Sequence, residues 1–287
     1  MVGCCTVGTN KGGPMIEIRL LRPARREFQA DVYRPGVISL SRILWGSLGG
    51  GLLLFLIGVC SRLFQIGVLF PPLAATCFIG ATCVYLRVAR PKAVIVGHCV
   101  ATIGGLVGCY LGTLMLGEAR FVASVKLGLA VLLASAYMQV LDADHPPAAA
   151  TAAIPAILPL PASGLVLPLH MAWGGVLAVV FAVAWNRVWF ECPVPEEGRV
   201  KGWLRLPMGR LDSAGTVLCC AAALLMCFKV VNETVYGVGL GLMVLGLLVL
   251  GTSHFFAARY VRRQEAPESP SACASPGQGQ TPQGRNK

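Results

Sequence analysis

"DADHPPAAATAAIP" (Asp142–Pro155) sets two acids and a histidine directly before two prolines, and follows them with a run of alanine and threonine. A second copy lies upstream. "FPPLAATCFIGA" (Phe70–Ala81) and "HPPAAATAAIPA" (His145–Ala156) share seven of the eleven positions after their first residue, at an offset of 75 residues. Proline lacks an amide donor and suits the first turn of a helix. It also pushes the residue before it out of the helical region. New helices are therefore expected to start at Pro71 or Pro72, and again at Pro146 or Pro147. The second runs only to Pro159 or Leu160, near 20 Å at about 1.5 Å per residue. That is short of a hydrocarbon core of about 30 Å. The N-terminal ends of both helices are thus expected inside the protein, where irregular backbone must be buried or line a cavity.

The surrounding sequence is that of a membrane protein. Of 287 residues, 55% are hydrophobic and 13% charged, against about 25% charged in an ordinary soluble domain. Eight apolar segments are read, at about 38–60, 64–87, 93–116, 119–141, 145–162, 164–190, 213–232 and 234–258. The fold class expected is all-α: a polytopic transmembrane bundle of about eight helices. A basic N-terminal segment (1–37) precedes a core (38–190). A basic loop (191–212), an appended hairpin (213–258) and a tail expected to be disordered (259–287) follow.

The net charge of +11 lies in loops and tails rather than on a folded face, which argues against nucleic acid as a partner. If the segments alternate, 20 of the 24 Lys and Arg fall on one side. The other side holds only Arg62, Arg120, Lys126 and Lys229. The positive-inside rule then places both termini in the cytoplasm or its organellar equivalent, in an organellar envelope or the plasma membrane.

The two motifs each sit in the second of three segments, and each third segment carries a histidine near its start, His98 and His170. Segments 1–3 therefore pair with 4–6. An odd number of spans per copy gives an inverted 3+3 repeat, an architecture of many secondary transporters. Helix N-termini with small side chains around them can receive an anion through free amides and the helix dipole. Ala and Gly also serve close helix packing. For "GGLVGCYLG" (Gly104–Gly112) packing is the preferred reading, although this face and Gly46–Gly51 also offer surfaces for a homo-oligomer.

The candidate anion-binding set is Phe70, Pro71, Pro72, Thr76 and His98 in the first copy, and His145, Pro146, Pro147, Thr151 and His170 in the second. His145 can gain charge near neutral pH, which makes protons a candidate second ligand. Its counterpart Phe70 is expected to form an apolar gate. Intramembrane histidines are functional by default; the bland alternative is a hydrogen bond to a carbonyl. Thr76 and Thr151 either meet substrate or bond back to their own helices. His254 receives no role.

An enzyme is not expected. No HExxH, GxSxG or phosphate loop is present, and no cofactor is implied. The twelve cysteines form no CxxC pair and no zinc spacing. Two alternatives stay open: a membrane enzyme or metal-binding protein built on Asp142, Asp144 and His145, and a non-transporting scaffold.

At "HPPAAATAA" the chain resembles the HPP family of integral membrane proteins. The likeness continues through "PPLAATCFIGATCVYLRVARPKAVIVGHCVATIGGLVG". There the family also has a Pro-small-small stretch, a Pro-basic pair (here Pro91-Lys92) and a Gly-His pair (here Gly97-His98). It covers about residues 38–190. The resemblance implies a compact helical membrane domain. It also implies transport of nitrite, an activity associated with the family in plants and cyanobacteria. Many relatives have Gly after the tripeptide, where this chain has Ala148 and Ala149.

Overall fold

The computed structural model describes residues 17–19, 37–82, 86–117, 121–190 and 208–264. Most of the basic N-terminal segment, most of the 191–212 loop and the tail from 265 lie outside the described residues. Two three-residue strands, β1 (Glu17–Arg19) and β2 (Val37–Ser39), pair in parallel with Ile18 opposite Ile38. The strands carry no signal strong enough to be read from sequence. Eight helices follow: α1 (Leu40–Leu63), α2 (Phe70–Thr82), α3 (Pro91–Leu116), α4 (Val122–Val140), α5 (Pro146–Ala153), α6 (Leu167–Phe190), α7 (Arg210–Met226) and α8 (Glu233–Gln264). Residues from Phe255 onward form a separate unit, of which the helical end of α8 is described.

Six of the eight are long and apolar enough to cross a bilayer. The other two are the Pro-Pro helices, which are short, as expected of helices that start inside the protein. At about 1.5 Å per residue, the 13 residues of α2 reach about 20 Å and the 8 residues of α5 about 12 Å. The second is shorter than the roughly 13 residues expected. Pro155 ends it: without an amide it cannot bond back to Thr151, and the chain tightens into a single 3-10 turn at Ile154–Ala156. Pro159 and Pro161 then hold an irregular run up to α6. α5 begins as expected, with Pro146 and Pro147 opening it after an extended His145, while α2 begins one residue earlier than expected, at Phe70.

The two short helices run antiparallel. The carbonyl of Val88, beyond the end of α2, bonds the side chain of His145, which precedes α5. At the other end Gly67, before α2, lies so near Pro161, beyond α5, that a Cβ there would come 2.6 Å from its carbonyl oxygen.

α3 and α6 are the most buried spans, and Ile95, Met171 and Trp173 are sealed between them and their neighbours. α4 packs along α3 on the predicted glycine face. A Cβ on Gly104 would meet Ala134, one on Gly108 would meet Ala130, and one on Gly112 would meet Lys126. The packing reading of "GGLVGCYLG" therefore holds, and this face is already taken within the chain. The Gly46–Gly51 face is mostly taken too: Gly46 meets Thr82, Gly49 meets Trp185 and Gly50 meets Phe78. Neither stretch as a whole is free for subunit contacts.

Candidate functional site

α5 lies against α3 because both are made of small residues there. A Cβ on Gly97 would sit 3.0 Å from the Cβ of His145, and one on Gly105 would sit 2.8 Å from the Cα of Ala152. Ala148 and Ala152 are fully buried. Ala148 and Ala152 thus let α5 approach α3 closely. What the close approach brings together is a polar cluster at the centre of the bundle.

The cluster is a chain of four side chains. Thr151 Oγ1 lies 3.0 Å from Nδ1 of His98. Nε2 of His98 lies 2.8 Å from Thr76 Oγ1. Thr76 Oγ1 lies 2.9 Å from Nε2 of His145. Nδ1 of His145 lies 2.7 Å from the Val88 carbonyl oxygen. All four side chains are at most 3% exposed. The two threonines that the repeat aligns, Thr76 and Thr151, therefore meet opposite nitrogens of a single imidazole. Thr102 donates to the His98 carbonyl, 2.7 Å away on its own helix.

Four of the ten predicted residues, Thr76, His98, His145 and Thr151, are brought together. Pro72 contributes its carbonyl, 3.1 Å from Thr76 Oγ1, and Pro147 is buried beside the cluster while Pro71 and Pro146 are exposed. Two are placed elsewhere. Phe70 is 39% exposed and lies against Gly58 of α1, which does not fit an apolar gate at the cluster. His170 stands in a second group. Its Nδ1 donates to the Gly67 carbonyl at 3.2 Å and its Nε2 meets the Tyr236 hydroxyl at 2.8 Å. Lys229 lies 5.5 Å from the centre of the Tyr236 ring and donates to the Gln65 carbonyl. Tyr236 and Lys229 belong to the appended hairpin, whose sequence gave no sign of this role.

The Pro-Pro helix starts offer fewer free amides than expected. Pro146 and Pro147 have no N–H, and the Ala148 amide already donates to the His145 carbonyl at 2.8 Å. Pro71 and Pro72 likewise carry no donor. The prolines that start these helices remove most of the free amides an anion would use. The helix dipole and the Thr and His side chains remain.

The acids of "DADH" turn away from the histidine. Asp142 adopts a left-handed backbone (φ 53°) and pairs with Arg87, with His254 3.7 Å from its second oxygen. Asp144 is exposed. Among the described residues no three His, Cys, Asp or Glu side chains gather as a metal site. Beneath them, buried Lys92 donates to Ser253 at 3.1 Å, and Ser253 donates to Asp212 at 2.6 Å. This ties α3 to the hairpin.

A model of the HPP transmembrane region matches residues 35–195. The chain belongs to the HPP transmembrane family. It is a multi-pass integral membrane protein, and the HPP tripeptide itself is His145, Pro146 and Pro147, at the entry to α5. The family region spans α1 to α6 and contains the whole Thr–His–Thr–His cluster, while α7 and α8 lie outside it. No curated protein and no solved structure matches the chain.

Proposed function

We propose that this HPP-family protein carries a small inorganic anion across its membrane, with nitrite the first candidate. The observation behind the reading is the pair of antiparallel half-length helices whose threonines Thr76 and Thr151 converge on one intramembrane histidine. Discontinuous spans that start inside a bundle bring the positive ends of helix dipoles to mid-membrane, where transporters hold anions. The antiparallel run of α2 and α5, and the shared partner of Thr76 and Thr151, support the inverted repeat. His145 adds a group that becomes cationic on protonation, and hydroxyls supply donors.

The cluster is sealed in this conformation, so passage requires α2 and α5 to part. That favours a carrier over an open channel. The charge asymmetry supports both termini on the cytoplasmic or equivalent side.

The test is uptake by proteoliposomes of purified protein, assayed for nitrite, nitrate, formate and bicarbonate. Nitrite accumulation above protein-free liposomes is expected. Flux at the protein-free level for all four anions would reject the proposal and leave a scaffold.

A further inference from the structure

The hydrogen-bond chain has a direction, and chemistry alone fixes it. A carbonyl oxygen only accepts, so the 2.7 Å contact with Val88 makes Nδ1 of His145 an N–H donor. A neutral His145 then has a bare Nε2, whose partner is the Thr76 hydroxyl. That hydroxyl has one proton, so Nε2 of His98, on the same oxygen, must be the donor. His98 is then bare at Nδ1 and accepts from Thr151. The order is Thr151 to His98 to Thr76 to His145 to Val88, and the two imidazoles hold opposite tautomers.

The same geometry accommodates a charged His145. With a second proton on His145, its Nε2 donates to Thr76, and the Thr76 hydroxyl turns its own proton to the Pro72 carbonyl, 3.1 Å away. When the proton has come through His98, that ring ends as the Nδ1–H tautomer, and the Thr76 hydroxyl donates to its bare Nε2, 2.8 Å away, instead of to Pro72. Both charge states of His145 keep the ring N–H groups and the Thr76 hydroxyl partnered, which an ordinary structural histidine does not require.

We infer that Thr151, His98, Thr76 and His145 form a proton relay that loads His145, so that proton transfer accompanies anion transport. The inference rests on the transport reading above. A proton delivered to Thr151 Oγ1 forms an O–H bond there as the original Thr151 proton moves to Nδ1 of His98. The Nε2 proton of His98 passes to Thr76, and the Thr76 proton passes to Nε2 of His145. One proton enters and one imidazolium results; no other atom changes charge. An anion at the Pro-Pro helix start and an imidazolium at His145 stabilise each other, and that coupling is reciprocal. The ionisable groups nearest His145 on the elements around it are His98 itself, Arg87 and Asp142, paired with each other, His254 against Asp142, the exposed Arg90 and Asp144, Lys92 held by Ser253, and the buried thiols of Cys77 and Cys99.

Two measurements test the relay. In ¹⁵N-histidine-labelled protein in lipid bilayers, with the four histidines assigned by single His→Gln variants, His98 is expected as the Nε2–H tautomer and His145 as the Nδ1–H tautomer. His98 in the Nδ1–H form at rest would overturn the proposed order whether or not the protein transports anything. In proteoliposomes, internal pH and internal nitrite are followed separately, each corrected for protein-free liposomes. Wild type is expected to move protons with nitrite. Thr76→Val is expected to lower the proton-to-nitrite ratio at least tenfold, and Thr76→Ser to restore it. If Thr76→Val does not fold or carries no nitrite, Thr151→Val breaks the chain at its other end and is expected to lower the ratio equally. An unchanged ratio in a transporting Thr→Val variant rejects the relay and leaves anion transport standing. Absent nitrite flux in wild type, with the expected tautomers, rejects the transport reading, and with it the relay's part in transport, and leaves only the order of the hydrogen-bond chain.

Discussion

The imidazole of His98 stands edge-on to that of His145, ring centroids 5.2 Å apart at 65°, and Thr76 Oγ1 touches Nε2 of both. One hydroxyl thus satisfies two buried ring nitrogens, one from α3 and one from the residue just before α5. An unsatisfied buried polar group costs about 1–3 kcal/mol. Thr76→Val is therefore expected to destabilise the protein by at least that amount, and Thr76→Ser by much less. Thr102→Val is the comparison: among the described residues Thr102 bonds the His98 carbonyl within its own helix, and its loss is expected to cost under about 1 kcal/mol. Thermal unfolding in detergent measures all three. Equal losses for Thr76→Val and Thr102→Val would show that the inter-helix bonds contribute nothing to stability.

How much of this was legible beforehand depends on what kind of interaction carried it. Pro71, Pro72, Pro146 and Pro147 mark helix starts by local backbone sterics, so the two short helices could be read directly. The repeat alignment put Thr76 opposite Thr151, and both meet His98. The end of α5 was read too late, because Pro155 stops the helix earlier than the apolar run does. The difference between His98 and His170 was not legible. Both sit near the start of the third segment of their copies, but what each touches depends on which turn faces α2, or Tyr236 of α8, and no local pattern encodes that. The loss of amide donors at the Pro-Pro starts follows from composition alone and needed only a count of N–H groups.

The α3–α4 seam gives a steric prediction. A side chain on Gly108 would meet the Ala130 backbone, and one on Gly104 would lie 2.7 Å from the Ala134 nitrogen. Backbone cannot yield cheaply, so Gly104→Val and Gly108→Val should each cost about 1–3 kcal/mol by overpacking. A Cβ on Gly51 or Gly128 meets nothing within 4 Å. Gly51→Ala and Gly128→Ala should be neutral, or stabilising by up to about 1 kcal/mol through helix propensity. Melting temperatures of the four variants should separate into these two pairs; four similar shifts would refute the seam.

Orientation is tested at two exposed arginines. Arg62 lies at the end of α1 and Arg90 immediately before α3. The topology read from charge puts them on opposite faces. Single cysteines at these positions, in a background cleared of reactive thiols, should react with a membrane-impermeant maleimide from opposite sides. Arg90→Cys should label only after permeabilisation and Arg62→Cys before it. Labelling of both from one side would reject the topology.

Lys92 supplies the last prediction, because it links the family region to the hairpin beyond it. The residue is 8% exposed, and its ammonium donates to Ser253, which passes the interaction to the Asp212 carboxylate. A buried cation left without its counter-charge is destabilising, whereas removing both partners is often tolerated. Asp212→Asn and Lys92→Met should each lower stability, by about 1–3 kcal/mol if one charge-assisted bond is lost in each. The double variant should fall well short of the sum, with a coupling of about 1 kcal/mol or more, because neither change leaves the other's charge stranded. Ser253→Ala should reproduce much of the loss by cutting the bridge while both charges stay. Additivity of Lys92→Met and Asp212→Asn within about 0.5 kcal/mol would mean that the two groups act independently and that this bridge does not help to hold α7 and α8 to the HPP core.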